Sequence, residues 1–388
     1  MSNEITPRVR AVLDWFLLNR ELGDIDALFQ AACARLDAAG FPIDRVSLNL
    51  EVIHPEVGGE RRVWQRAGGL EVTRAAQGVE LSEDYLLSPV KVVDDTDRPF
   101  RRLLDGTPTG MSLLDRLQGE GFTDYLIVPL AFQDKDRSAA MSFATRRPGG
   151  FAAPDLAELL VIVQGLCPAI EARVMRIIGR DLLTTYLGRD PGERVLRGQI
   201  RRGDVSSLFA AILFCDLRNF TGFTQDNPSQ AVIRRLNDWF GIAVEAVEGN
   251  GGEVLKFMGD GAMAIFPAEE LNPRQACGHA LAAASAIGVG ADAWNAARDP
   301  HLPALDYGLS LHLGYVAFGN IGGARRLDFT VIGPAVNLAS RLMEVAKHLD
   351  RRVVVSQSFA GCSGRNHEPL GDFTLRGIGH PVPVYAPG

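Results

Sequence analysis

Two aspartates in the second half of the chain have positions that suit metal binding. Asp216 follows the apolar run LFAAILFC (208–215), which is typical of a buried strand, and Asp260 lies in VLKFMGDGAMAIF (254–266). A carboxylate at the end of a central strand is costly unless it is paired or binds a metal, and such oxygen ligands suit Mg or Mn. Asp216 could instead cap the following helix or meet a basic residue, and Asp260 could serve only a turn.

The segment around Asp260 predicts a β-hairpin, because two apolar runs flank Gly-Asp-Gly. Lys256 places a charge in the middle of the first of these runs. Either this lysine snorkels toward water, or it belongs to an active site. If the hairpin pairs with the strand that ends at Asp216, the two carboxylates approach each other, and a cation is needed to offset their repulsion.

A third cluster is YGLSLHLGYVAFGNIGGARRLDFTVIGPAVNLASRL (307–342). It predicts two strands separated by Gly314, a further short strand in DFTVIG, and a helix whose first turn contains Pro334, where proline is favoured. Asn337 and Arg341 are four residues apart on that helix and share a face. The pair is either a solvated surface or part of a site.

The first half of the chain predicts a separate α+β domain. VSLNLEVI (46–53), YLIVPLAF (125–132) and AAMSFAT (139–145) predict strands, the last two joined by the polar turn QDKDRS. A long helix follows, with Asp155 placed to cap it and Pro168 placed to kink it. The polar, Gly- and Arg-rich segment GRDPGERVLRGQIRRGDV predicts a linker. The expected domains are therefore 1–187, a linker at 188–205, and 206–388.

The composition predicts a soluble protein of a reducing compartment. The formal net charge is -7 with no long basic run, which argues against a nucleic-acid partner. The five cysteines form no CxxC pair, and the first residues lack the apolar core of a signal peptide. The most apolar window, from Leu156, contains Glu158, Gln164 and Glu171 and is predicted not to span a membrane. We therefore expect a cytoplasmic location.

The first half resembles a GAF-type sensor domain over about residues 10–175. The matching features are a strand ending in VPL, a polar turn, a strand of small and apolar residues, then Phe, a short gap, Asp and a helix. An unrelated α+β domain with the same element order is the alternative. The resemblance implies a regulatory domain with an exit helix, which responds to an unknown small-molecule or protein signal or serves as a dimerisation module.

The second half resembles the catalytic domain of class III nucleotidyl cyclases from about residue 206 to 385. Three motifs carry the resemblance in order: FCDLRNFTGFT, VLKFMGDGAMAIF and FTVIGPAVNLASR. It implies a ferredoxin-like α+β fold, with a βαββαβ core rich in antiparallel pairs and with helices on one face. Asn219 stands where the family usually has glycine, although asparagine tolerates left-handed backbone conformations.

The resemblance also implies a role for each matching residue. Asp216, Asp260 and the Leu217 carbonyl would bind two Mg or Mn ions. The substrate-binding residues would be Lys256 and Thr330 at the base, and the amides near Phe220 and Thr221, together with Arg376, at the phosphates. Asn337 would orient the ribose, and Arg341 would stabilise the transition state.

The implied activity is that of an adenylyl cyclase, which converts ATP into 3′,5′-cyclic AMP and pyrophosphate. Threonine at position 330 resembles the subclass called IIIb, some members of which respond to bicarbonate. In this family the aspartates and the base-reading residues of one site come from two chains, so a homodimer with sites at the interface is implied. The alternatives are a guanylyl cyclase and a catalytically degenerate dimerisation module. A diguanylate cyclase is disfavoured because the acid lies in Gly-Asp-Gly rather than in Gly-Gly-Glu.

Overall fold

The computed structural model describes residues 5–18, 23–133, 138–268, 272–323 and 326–388. The chain forms two compact units, Met1–Leu182 and Leu183–Gly388. Each unit combines helices with a largely antiparallel sheet, so the predicted α+β class is confirmed for both halves. The GAF likeness of the first unit stays a prediction.

Unit 1 is built on an antiparallel sheet with the strand order β3-β2-β1-β6-β5-β4. Its strands are β1 (Arg45–Glu51), β2 (Val57–Gln65), β3 (Gly69–Ala76), β4 (Phe100–Leu103), β5 (Asp124–Pro129) and β6 (Ala139–Thr145). Its helices are α1 (Pro7–Leu18), α2 (Ile25–Ala38), α3 (Glu83–Leu86), α4 (Pro89–Thr96), α5 (Ser112–Gly119) and α6 (Ala153–Leu187), with a 3₁₀ turn at Val79–Leu81. Most of the predicted turn QDKDRS lies outside the described residues.

Alternation along the strands divides unit 1 into two cores. Leu126 and Val128 pack with α1, α2 and α6 on one face of the sheet, whereas Tyr125 and Ile127 pack with α4 and α5 on the other. Successive side chains of a strand point to opposite faces, so β5 contributes to both cores. This explains why YLIVPLAF is apolar without interruption.

Helix α6 begins in unit 1, ends in unit 2 and continues through Pro168. Asp155 is not its N-cap; it lies in the first turn, where its carboxylate accepts from the Ala152 amide at 3.1 Å and pairs with Arg8 at 3.0 Å and with Arg147 at 2.7 Å. By length and composition alone α6 is also apolar enough to cross a membrane. Its inward face belongs to the core of unit 1, and the prediction that the chain has no membrane span stays a prediction.

Unit 2 is built on an eight-stranded sheet. The strands are β7 (Val205–Leu217), β8 (Glu253–Met258), β9 (Gly261–Pro267), β10 (Tyr307–Gly323), β11 (Arg326–Ile332), β12 (Val353–Ser356), β13 (His367–Phe373) and β14 (Val382–Pro387). The helices are α7 (Arg189–Leu196), α8 (Phe220–Asp226), α9 (Ser229–Gly249), α10 (Pro273–Ala297), α11 (Pro334–His348) and α12 (Gln357–Ser363). The order β7-α9-β8-β9-α10-β10, with the strands arranged β10-β7-β9-β8, is the predicted ferredoxin-like core.

Strand β7 is central and buried on both faces. Leu213 and Cys215 pack with α9 and α10, whereas Ile212 and Phe214 pack with residues that include Ala339 of α11. The two helices of the βαββαβ core, α9 and α10, thus lie on one face of the sheet, as predicted, and α11, which follows the core, covers the other face. The run LFAAILFC is continuously apolar because neither face of β7 meets water.

Two local predictions also require correction. Gly314 does not separate two strands, because β10 runs unbroken for 17 residues. A Cβ at Gly314 would lie 2.8 Å from the Ala335 side chain, so the glycine allows α11 to pack closely. The segment 188–205, predicted as a linker, contains α7 and the first residue of β7, and it belongs to unit 2.

Candidate active site

The strand register brings the two predicted metal-binding aspartates together. Asp216, one residue before the end of β7, lies opposite Gly261, the first residue of β9, and Asp260 directly precedes that glycine. The Asp216 and Asp260 side chains are close enough for each to influence the ionisation of the other. A Cβ at Gly261 would lie 2.8 Å from both Asp216 Oδ1 and the Cys215 carbonyl oxygen. Glycine at this position therefore leaves the space that the carboxylate pair occupies.

Burial and mutual repulsion disfavour the ionised forms of the two carboxylates when no cation is present. Burial, followed by the neighbouring Asp260, raises the pKa of Asp216 to about 6, although Lys347 opposes the rise. Burial also raises the pKa of Asp260. A divalent cation would favour the ionised forms, and carboxylate oxygens are the ligands that Mg²⁺ and Mn²⁺ prefer.

The donor set therefore fits a metal site that uses two carboxylates. Leu217, whose carbonyl is the third predicted ligand, is the last residue of β7 and directly follows Asp216. Within the described parts of the chain, no group of three or more His, Cys, Asp and Glu side chains could hold a metal ion. Any further ligands would have to come from backbone carbonyls, water or substrate.

The hairpin turn that carries Asp260 is held by a residue that the sequence reasoning missed. Met258 pairs with Gly261, so Gly259 and Asp260 are the two central residues of the turn. Gly259 has a φ of 66°, as the first central residue of a type II′ turn requires. The indole Nε1 of Trp239, on α9, donates to the Asp260 carbonyl oxygen at 3.0 Å. Nothing in the apolar spacing of α9 distinguishes Trp239 from its other core residues.

The chain after β7 turns sharply into α8. Asn219 adopts the left-handed conformation, with a φ of 57°, as its tolerance of that region predicted. Phe220 and Thr221 are the first residues of α8. The buried Arg235 supports this region, because its guanidinium lies 4.6 Å from the Phe223 ring centroid and donates to two loop carbonyls at 2.7 and 2.8 Å. Arg235 was also missed, because an arginine in an amphipathic helix normally faces water.

Lys256 and Thr330 lie on neighbouring parts of unit 2. The Lys256 ammonium forms an ion pair with Asp328, which is two residues before Thr330 on β11. Residues two apart in a strand point to the same face, so Asp328 and Thr330 lie side by side. The Lys256 and Asp328 side chains are 41% and 53% exposed, which leaves both accessible to a ligand. Asp328 was missed, because the pairing depends on a contact between distant strands.

The remaining predicted residues lie elsewhere. Asn337 is exposed on α11, and one turn later Arg341 forms an ion pair with Glu344 at 2.5 Å. Arg376 is exposed in the loop between β13 and β14. In the described part of the chain, no hydrogen bond or ion pair joins any of these three residues to the carboxylate pair, to Lys256 or to Thr330.

Comparison with known proteins identifies the second half of the chain. Residues 207–384 match the family model described as the adenylate and guanylate cyclase catalytic domain. This part of the chain is a class III cyclase catalytic domain, and the prediction made from the three motifs is confirmed.

Curated relatives support the same assignment. An uncharacterized protein of Mycobacterium tuberculosis is 34% identical over 214 residues, 54% of this chain and 36% of that protein. An adenylate cyclase of Anabaena cylindrica is 32% identical over 190 residues, 48% of this chain and 36% of that protein. The matches thus span little more than a third of the length of these relatives.

A solved structure shares the fold over a longer stretch. The structure of a bacterial light-regulated adenylyl cyclase matches at a TM-score of 0.52 with 15% identity, over 89% of this chain and 93% of that one. At this identity the likeness concerns the fold alone.

Proposed function

We propose that this chain is an adenylyl cyclase that converts ATP into 3′,5′-cyclic AMP and pyrophosphate. The observation that carries the proposal is the carboxylate pair of Asp216 and Asp260, which the β7–β9 register sets side by side in a cyclase catalytic domain. Incubation of the protein with ATP and Mn²⁺, with chromatographic separation of the products, tests it. The Asp216→Asn variant is the control for a contaminating activity.

In this proposal Asp216 and Asp260 hold two divalent ions, with the Leu217 carbonyl as a further ligand. When bound, such ions supply Lewis-acid activation of the ribose 3′-hydroxyl and neutralise triphosphate charge. Most of the remaining work is positioning and charge stabilisation. The amides at Phe220 and Thr221 face the β- and γ-phosphates.

The residues of α11 act on the reacting centre. Asn337 orients the ribose so that the 3′-hydroxyl lies in line with the α-phosphorus. Arg341 donates to the α-phosphate oxygens, on which negative charge develops; its planar, permanently charged guanidinium suits this task. For this the Arg341 side chain must leave Glu344, a cost that is small for an exposed pair. Arg376 contacts phosphate in the same proposal.

Adenine is the base that fits the side chains at the base-reading position. The Lys256 ammonium is a donor for the N1 acceptor of adenine, and the Thr330 hydroxyl accepts from its exocyclic amino group. Guanine presents the opposite pattern, with an acceptor at O6 and a donor at N1. The Anabaena relative, named as an adenylate cyclase, supports the same choice. Formation of cyclic GMP in preference to cyclic AMP would overturn this part of the proposal.

The site is proposed to form between two copies of the chain. Within one chain, no hydrogen bond or ion pair of the described residues joins the carboxylate pair to Lys256, Thr330, Asn337 or Arg341, and this supports the arrangement. Mixing inactive Asp216→Ala with inactive Asn337→Ala protein should then restore activity, because the mixed dimer retains one intact site. No recovery after confirmed exchange of chains would contradict a shared site.

Unit 1 is proposed to regulate the catalytic domain of this cytoplasmic enzyme. Helix α6 runs from unit 1 into unit 2, where α7 follows at once. The Asp190 amide at the start of α7 donates to the Glu253 carboxylate of β8 at 2.7 Å, and Glu253 is three residues from Lys256. A movement of α6 would therefore be passed through α7 to β8, the strand that carries Lys256. A truncated chain beginning at Gly188 should retain the chemistry at a changed rate; identical kinetics would argue against regulation.

A further inference from the structure

A buried tryptophan supports the turn between β8 and β9 at Asp260. Trp239 is fully buried, and its Nε1 donates to the Asp260 carbonyl oxygen at 3.0 Å. Gly259 and Asp260 are the only residues between the two strands, so the direction of the Asp260 side chain depends directly on the turn backbone. A hydrogen bond to the Asp260 carbonyl therefore constrains its carboxylate as well.

The same indole packs against β10, the strand next to the one that carries the other aspartate. Its ring packs against Tyr307, with a centroid separation of 5.4 Å and an interplanar angle of 31°. Tyr307 lies opposite Leu217, and the next residue of β10, Gly308, lies opposite Asp216. Trp239 thus contacts the hairpin turn on one side and the partner of the end of β7 on the other. Through Tyr307 and the pairing of β10 with β7, it couples the turn at Asp260 to the strand end at Asp216.

We propose that Trp239 is a positioning residue that fixes the Asp260 carboxylate relative to Asp216 and thereby sets the affinity of the pair for divalent cations. Phenylalanine at this position keeps the aromatic packing but removes the donor to the Asp260 carbonyl, so the turn loses the contact that holds it. The role in cation binding is tested directly, whereas its catalytic consequence rests on the proposed cyclase function.

The test is a Mn²⁺ titration of the full chain, in which electron paramagnetic resonance measures free Mn²⁺. We expect Trp239→Phe to weaken Mn²⁺ binding by about five- to tenfold, the effect of losing one well-formed hydrogen bond. Asp216→Asn should abolish the same binding. The matched control is Trp294→Phe, because the Trp294 Nε1 also donates within unit 2, at 3.1 Å to Asp238, but does not touch the turn. That variant should stay within about twofold of the wild type.

A second variant covers the case in which Trp239→Phe does not fold. Benzothienylalanine at position 239 replaces the indole N–H by sulfur and keeps the shape of the ring system. It should weaken Mn²⁺ binding to a similar extent. Wild-type Mn²⁺ affinity in either folded variant, or Mn²⁺ binding that does not require Asp216, would overturn the proposal.

The Mn²⁺ dependence of the catalytic rate distinguishes a positioning role of Trp239 from a general effect on the stability of the fold. In an active enzyme, Trp239→Phe should need five to ten times more Mn²⁺ for half-maximal rate and should recover most of kcat at saturating Mn²⁺. A lower kcat with an unchanged Mn²⁺ requirement would indicate a merely structural role and contradict the proposal. If the wild type binds Mn²⁺ through Asp216 but is inactive, the cyclase function is refuted. The Trp239 proposal is then decided by the Mn²⁺ titration alone.

Discussion

Replacement of Asp216 by asparagine should stabilise the metal-free protein at neutral pH while it abolishes metal binding. Burial and the Asp260 carboxylate raise the pKa of Asp216 from 3.8 to about 6. An acid whose pKa is higher in the folded state than in the unfolded state destabilises the fold when it is ionised. The cost is absent below about pH 3.8 and complete above about pH 6.

The size of the effect follows from the same pKa. A rise from 3.8 to about 6 corresponds to about 3 kcal/mol at 1.36 kcal/mol for each pKa unit. Asp216 is only partly buried, and screening by water reduces this to roughly 1 kcal/mol. Asparagine has almost the same shape and carries no charge, so the variant should gain this amount at pH 8 and almost nothing at pH 4.

The assay must report on unit 2 alone, because a chain of two units need not unfold in one step. Met263 of β9 is 3% exposed, so its oxidation by peroxide requires unfolding of the sheet that contains the pair. Mass spectrometry of Met263 oxidation across a urea series with EDTA gives the free energy of unfolding at each pH. The exposed Asp372 of β13 supplies the control variant, Asp372→Asn, for which no gain at pH 8 is expected.

Addition of Mn²⁺ completes the experiment. A ligand at 100 times its Kd stabilises a protein by about 2.7 kcal/mol. The wild type should gain stability of this order, and Asp216→Asn should not. The reasoning is refuted if the variant is no more stable than the wild type at pH 8, or if Mn²⁺ stabilises both proteins equally.

Substitutions at three further positions test other parts of the proposal. Gly261→Ala should lower Mn²⁺-dependent turnover at least tenfold, because the new methyl group would crowd the Asp216 carboxylate; turnover close to the wild type would contradict the crowding. Asp328→Asn should raise the KM for ATP about three- to tenfold with less effect on kcat, because Lys256 then loses the carboxylate that holds it in position. Glu253→Ala should change the basal rate of the full chain, whereas Glu253→Gln, which can still accept from the Asp190 amide, should not.

Controls are available for these substitutions. Asp292 pairs with Arg352 at similar exposure and outside the site, so Asp292→Asn should leave the KM for ATP unchanged. An equal rise in both variants would mean that a loss of surface charge, rather than the base-reading contact, is responsible. If both Glu253 variants behave alike, the contact with α7 does not transmit the signal.

Local patterns in the sequence predicted much of unit 2. The strand ending at Asp216, the hairpin at Asp260 and the helix beginning at Pro334 are all present, because each has a strong periodic or turn signal within a few residues. The placement of Asp260 beside Asp216 was inferred from a resemblance to known cyclases. The local sequence does not determine which strands pair.

The features that were missed depend on contacts between distant segments. Trp239, Arg235 and Asp328 look like an ordinary core residue, a helix-surface charge and a strand-edge charge until the fold gives each a partner. Gly314 was misinterpreted for the same reason, because the close approach of α11 explains that glycine better than a strand break. Local propensity predicts elements, whereas tertiary contacts decide which side chains meet.

The most direct test of the central claim is a competition assay with equimolar ATP and GTP, Mn²⁺ and the full chain, in which all nucleotide products are separated and quantified. The account predicts 3′,5′-cyclic AMP as the main product, with pyrophosphate in equal amount, and no product from Asp216→Asn. Cyclic GMP as the main product would contradict the assigned base specificity. No cyclic nucleotide across a range of protein concentrations would contradict the cyclase function itself.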